Sequence, residues 1–101
     1  MASRLKLHEE FCAILGSRNV YFQPPASKRM SFPAIVYDIA DIKNLHANDA
    51  VYKQDVAYEV TVIDENPDSE FAKKVSMMPK CRWNRAFKSD NLNHEVYTLY
   101  Y

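Results

Sequence analysis

The chain has 101 residues, 13 acidic and 13 basic side chains, and an apolar share of 48%. That length suits one domain with a modest core, and that apolar share excludes global disorder. Zero net charge gives no ground for whole-surface binding to nucleic acid or an acidic membrane, and a single glycine, Gly16, excludes phosphate-cradling loops, dinucleotide fingerprints and glycine-flanked serine elbows.

Residues 3–15 read as a helix. Ser3 is its candidate cap, and Leu5, Leu7, Phe11, Cys12, Ile14 and Leu15 form a broad apolar face. Gly16 stops the helix by accepting a left-handed conformation. "NVYFQ" follows as a short strand, ended by Pro24 and Pro25, which lack an N–H for the ladder. "SFPAIVYDIAD" is the next strand, with Pro33 at its start. Ala34 and Val36 point one way and Ile35, Tyr37 and Ile39 the other, so both faces are expected to be covered. Between the two strands "ASKRMS" forms a basic loop stiffened by flanking prolines, which lowers the entropy lost on docking.

Residues 41–53 carry mixed signals, and "HAND" is a turn, so an extended hairpin or a long loop is expected. "DVAYEVTVID" is the clearest strand, with Val56, Tyr58, Val60 and Val62 on one face and Glu59 and Thr61 on the other. A second helix follows within "DENPDSEFAKKVSMMP". Asn66 is placed to cap it, Pro67 suits its first position, and Asp68 and Glu70 complement its positive end. Phe71, Val75 and Met78 lie at helical spacing, and Pro79 ends it. "CRWNRAFK" alternates as a strand with Cys81, Trp83 and Phe87 on one side. "SDNLNH" reads as a turn and "EVYTLYY" as the last strand. The order predicts an α+β fold over residues 1–101. A mostly antiparallel sheet of five or six strands packs with an N-terminal helix and a second helix inserted between strands.

No apolar run approaches the length of a membrane span, and "MASRLKLHEE" has no signal-peptide apolar region, so a protein kept in a cytosol is expected. In that compartment Cys12 and Cys81 are expected to be reduced and packed rather than paired. "HEEFC" places His8 and Cys12 four apart on a helix beside Glu9, which mimics a zinc-protease helix. No third ligand with matching spacing accompanies them, so the packing reading is the stronger. His46 and His94 fall in expected turns. Asp64, Glu65, Asp68 and Glu70 cluster, but a helix start explains them. Cys–His catalysis requires an exposed cysteine, and the alternation of Cys81 with Trp83 suggests burial. The residues therefore predict no catalytic site, no metal site and no cofactor.

The charge pattern says more. Residues 64–70 are acidic, whereas Lys80, Arg82, Arg85 and Lys88 form a basic run and Lys28 and Arg29 a second basic point. Two solvated faces are the plain reading. The sharper one is a molecule with opposite patches that associates head to tail, a contact that gives a ring when it closes. A basic lumen would tolerate passing DNA without sequence readout. Trp83 and Tyr97 as base-stacking platforms are the nucleic-acid alternative, against which the zero net charge weighs. Seven tyrosines exceed what a small core needs, and rings with wet hydroxyls suit a protein contact.

Nearly the whole chain resembles the small tail terminator, or tail completion, proteins of long-tailed bacteriophages. The resemblance rests on "LHEEFCAILG", "NVYFQPP", "KRMSFPAIVY", "YKQDVAYEVTVIDENPDSEFAKKVSMMP" and "DNLNHEVYTLYY". Of these, "YFQPP…FPAIVY" and "NLNH" are the most specific. It implies a structural virion protein of the phage neck, assembled in the host bacterial cytoplasm. It implies a six-membered ring at the head-proximal end of the tail tube that stops tube growth and offers a surface to the head-completion (stopper) protein, with DNA passing through. It implies neither catalysis nor metal, and it carries over no individual functional residue. A head-completion or stopper protein and a monomeric protein-binding module are the alternatives. The candidate subunit or partner contacts are Lys28, Arg29, Met30, Asp64, Glu65, Asp68, Glu70, Arg82, Arg85 and Lys88, with residues 64–70 of one subunit near residues 80–88, or near Lys28 and Arg29, of the next.

Overall fold

Leu7, Phe11 and Leu15 recur at one-turn spacing, and this stripe fastens the first helix, α1 (Arg4–Leu15), to the rest of the molecule. In the computed structural model, residues 4–25, 29–47 and 50–101 are described, without the side chains of residues 43, 45–47 and 50–55. The proposed Ser3 cap and the contact residue Lys28 lie outside the described residues. The apolar face of α1 is narrower than its sequence suggests. Leu5 is 66% exposed because the helix touches the sheet only along the 7–11–15 line, with Cys12 and Ile14 flanking it. Gly16 ends the helix at φ 73°, its N–H donating to the Cys12 carbonyl at 2.8 Å.

Five strands follow: β1 (Val20–Phe22), β2 (Ala34–Ala47), β3 (Ala50–Asp64), β4 (Cys81–Ser89) and β5 (Leu92–Tyr100), with α2 (Glu70–Ser76) between β3 and β4. They form one sheet in the order β1-β2-β3-β5-β4. Only β1 and β2 run parallel; the other three pairs are antiparallel. The expected α+β fold is therefore present, with five strands and a mixed, mostly antiparallel sheet. Pro24 and Pro25 open the crossover from β1 to β2. Where β1 stops, Gln23 turns aside at φ 44°, and its side-chain oxygen accepts from the Ile39 N–H at 3.1 Å.

Ile35, Tyr37, Tyr58, Val60, Val62, Tyr97 and Leu99 share one sheet face and meet Leu7, Phe11 and Leu15 of α1 and Ala72 and Val75 of α2. Both helices thus cover the same side. Tyr37 is fully buried at its centre, with the rings of Phe11, Phe22 and Tyr58 at 5.2, 5.0 and 5.9 Å. Its hydroxyl accepts from Arg4 Nη1 at 3.2 Å and lies 2.7 Å from His8 Nδ1. Burial first, and then the Arg4 charge, hold His8 below its ordinary pKa, which favours a neutral ring. A neutral ring leaves Nδ1 free to accept the tyrosine proton. His8 is a partner of the core, as the packing reading of "HEEFC" expects.

Several local expectations are corrected. The cap of α2 is Ser69, not Asn66, and Pro67 precedes the helix. The Ser69 hydroxyl accepts from the Ala72 N–H at 3.3 Å. Asn66 is engaged elsewhere: its N–H donates to Asp64 Oδ1, and its Oδ1 accepts from the Asp68 N–H. Two consecutive Asx turns therefore consume the residues before the helix. The helix also stops at Ser76, before Pro79. The turn between β4 and β5 is only Asp90–Asn91, both at positive φ (53° and 62°), as a two-residue hairpin of right-handed twist requires. His94 consequently sits inside β5, stacked on Phe87 with ring centroids 4.6 Å apart. Residues 41–47 and 50–53 lie in two paired strands, as the hairpin alternative expects; residues 48 and 49 of the expected "HAND" turn lie outside the described residues. β2 and β3 stay paired from Ile42–Val56 out to Ala47–Ala50, beyond the reach of every other described strand. This ribbon contributes to a long axis of 51 Å against 27 and 23 Å across.

Candidate assembly surface

One face of the sheet carries the helices, and no described helix covers the other. Cross-strand register assigns residues to that open face in rows. Val36, Thr61, Val96 and Arg85 form one row, and Asp38, Glu59, Thr98 and Arg82 the next. In β4 a register shift at Asn84, between Trp83 and Arg85, inserts one extra residue. Cys81 and Trp83 therefore lie on the helix side, whereas Phe87 lies on the open side beside His94. The expectation that all three share a face is corrected by that inserted residue.

The proposed contact residues fall in three places. Arg29 is exposed and Met30 half-buried in the crossover loop, where the Ser31 N–H donates to the Tyr21 hydroxyl at 3.3 Å. Asp64 is half-buried at the end of β3, and Glu65, Asp68 and Glu70 are exposed in the turn and first helical residue after it. The Asn93 amide clamps this turn by donating to the carbonyls of Asp64 and Glu65. Arg82, Arg85 and Lys88 are exposed along β4, the outer strand of the sheet. Asn93 pairs with both Asp64 and Lys88, so the acidic turn and Lys88 share one end of the same subunit. Arg82 and Arg85 stand apart from them, further along β4 and on the open face. Arg85 Nη2 reaches across to Glu59 Oε1 at 3.3 Å.

An acidic counterpart escaped the sequence reading. Asp38 of β2 pairs in register with Glu59 of β3, two carboxylates side by side on the open face. Desolvation first, and then the Glu59 charge, raise the Asp38 pKa above its ordinary 3.8. A raised folded-state pKa means that ionised Asp38 costs stability. The cost is absent below the unfolded value and fully present once pH has risen past the folded one. Asp38→Asn is therefore expected to raise the urea midpoint at neutral pH, with the gain vanishing below pH 3.8. An equal gain at both pH values refutes the assignment. Only strand register reveals the pair, because the two residues are 21 positions apart in the chain.

Among the described residues, grooves flank the helices. One of about 450 Å³ lies between α1 and the chain end, lined by Ala13, Ile14, Met78, Pro79 and Tyr101. Burial first, and then a hydrogen bond to Glu10, push the Tyr101 hydroxyl up to about 12. Another, of about 350 Å³, lies beside Trp83 with Lys73, Glu95 and Tyr97. Tyr97 is only 3% exposed, its hydroxyl donating to Glu95 Oε2 at 3.0 Å, so it offers no ring for base stacking. Trp83 is 62% exposed. Cys12 and Cys81 are free thiols, and burial pushes the Cys81 thiol up, the direction that keeps it protonated. Among the described residues no group of three or more His, Cys, Asp or Glu is placed to hold a metal, and no helix is long and apolar enough to cross a membrane.

No protein-family model matches the chain, and no curated protein matches it.

Proposed function

We propose that this chain is a structural virion protein of a phage neck, one subunit of a hexameric ring at the head-proximal end of the tail tube. In this reading the ring ends tube growth and presents a joining surface to the head-completion protein. DNA crosses its lumen through phosphate attraction alone, and assembly takes place in the bacterial cytoplasm. The resemblance over nearly the whole chain supplies the reading. The structural observation that supports it best is the β2–β3 ribbon. A two-stranded ribbon has little stability of its own in water, so a neighbouring surface is its natural support. An assembly subunit has such neighbours on every side.

The test is tail length by electron microscopy in a phage lacking the gene. Overlong, headless tails are the expected result. Tails of normal length that fail to join heads would instead assign the chain to the stopper position, and normal joined virions would remove it from the neck altogether.

A further inference from the structure

We propose that the groove beside Trp83 receives Arg29 of a second copy of this chain, with the guanidinium stacked on the indole and held between the Asp68 and Glu95 carboxylates. This deepens the ring reading by naming two side-chain surfaces that meet, and it rests on that reading only in requiring copies to associate.

The groove is built by the sheet and α2 together. Trp83 and Tyr97 are register partners on the helix side of β4 and β5. Glu95 lies two residues from Tyr97 on the same side of β5. Pro67, Asp68, Ser69, Lys73 and Ser76 close the groove from the α2 side. Its aromatic wall is left in water: Trp83 is 62% exposed, while its neighbour Tyr97 is 3% exposed. An exposed tryptophan at the mouth of a groove is the residue type that anchors protein contacts.

The two acids keep acceptors free. Glu95 Oε2 accepts from the Tyr97 hydroxyl at 3.0 Å, and Oε1 has no hydrogen bond among the described residues. The Asp68 N–H donates to Asn66 Oδ1, whereas its carboxylate has no partner among the described residues. Lys73 lines the groove too, yet its ammonium pairs with neither acid, so two carboxylates stand against one amine. A tryptophan face with surplus negative charge beside it selects a cation. A planar guanidinium suits it best, because it stacks while its N–H edges reach the carboxylates.

Arg29 supplies that group. It is exposed in the crossover from β1 to β2, and no hydrogen bond or ion pair among the described residues holds it. Prolines on both sides of the crossover limit the freedom lost on docking. The crossover stands at the β1 end of the sheet and the groove at the β4 end. Four strand spacings, about 19 Å, separate those ends, so Arg29 does not reach the groove of its own chain. The contact is therefore heterologous. Each copy offers its loop to one neighbour and its groove to another, an arrangement that closes into a ring or grows as a filament.

Trp83 is the chain's only tryptophan, so its emission reads the groove directly. The test mixes two full-length variants: Arg29→Ala, which keeps the groove, and Trp83→Ala, which keeps the loop. By light scattering each alone is expected to associate roughly tenfold or more weakly than the parent. Mixed, they are expected to form a dimer and nothing larger, because only one loop–groove pair is intact. The emission of the Arg29→Ala chain then shifts to shorter wavelength as its indole leaves water. Both residues are exposed, and far-ultraviolet circular dichroism verifies that each variant is folded. A mixture that associates no better than its parts, or a dimer whose Trp83 emission stays unmoved, overturns the proposal. Lys73→Gln removes the opposing amine and is expected to tighten association of the otherwise unaltered chain; weaker association overturns the proposal by giving Lys73 the contact. A parent chain that stays monomeric at every concentration overturns it as well. The neck reading survives each of these results, because tail length reports it separately.

Discussion

Tyr37→Ala is expected to cost about 3–5 kcal/mol of folding stability, as large-to-small changes of buried aromatics do. A domain of this size has only about 5–15 kcal/mol in total, so the variant will be marginal or unfolded. The reason is the position of Tyr37 more than its size. It is fully buried at the middle of β2 and touches His8 and Phe11 of α1, Phe22 of β1 and Tyr58 of β3. Its loss opens a cavity where the helix and three strands converge. Tyr37→Phe separates packing from hydrogen bonding. It keeps the ring but leaves Arg4 Nη1 and His8 Nδ1 without the hydroxyl. Its expected cost is smaller, about 1 kcal/mol, because both groups are only partly buried and water replaces some of what is lost. Urea unfolding of both variants measures the difference; equal midpoints for the two would show that the ring packing carries little of the effect.

Shortening the β2–β3 ribbon is expected to separate fold from function. Ile42 and Val56 are register partners, so an Asn-Gly turn in place of residues 43–55 closes the hairpin two residues later. Among the described side chains the core cluster reaches no further along the ribbon than Val56, and the Tyr101 N–H still finds the Val56 carbonyl. The domain should therefore unfold within about 1 kcal/mol of the parent, the shorter closure even offsetting part of any loss. Tail termination is what should fail, read as overlong tails in a phage complemented with the short form. A short form that terminates tails normally would remove the ribbon from the function, and one that no longer folds would show that the ribbon supports the core.

Strands β2 and β4 show what strand register adds to charge pattern. Arg82, Arg85 and Lys88 read as one basic run in the sequence. The inserted residue at Asn84 and the pairing with β5 divide them between two faces, with Lys88 placed near the acidic turn of its own chain. Asp38 and Asp41 gave no signal at all in the sequence, since two acids in a strand of mixed residues resemble ordinary surface. Strand register places both on the open face, opposite Glu59 and Ala57.

Local rules determined much of the rest. The 7–11–15 stripe, the single glycine at a helix end, the alternation of Val56, Tyr58, Val60 and Val62, and the prolines at strand ends are short-range signals. Each follows from backbone sterics or from one periodicity, so the sequence alone was enough to identify an α+β chain and to order its elements. The helix cap was misplaced because Asn66 and Ser69 obey the same rule, and only the competing Asx turn decides between them. Only the tertiary structure decided the strand order, the parallel first pair, the faces of Phe87 and Trp83, and which edges stay open. The physical reason is that strand pairing joins residues far apart in the chain. One inserted residue changes the face of everything after it, and no local preference encodes which partner that residue will meet.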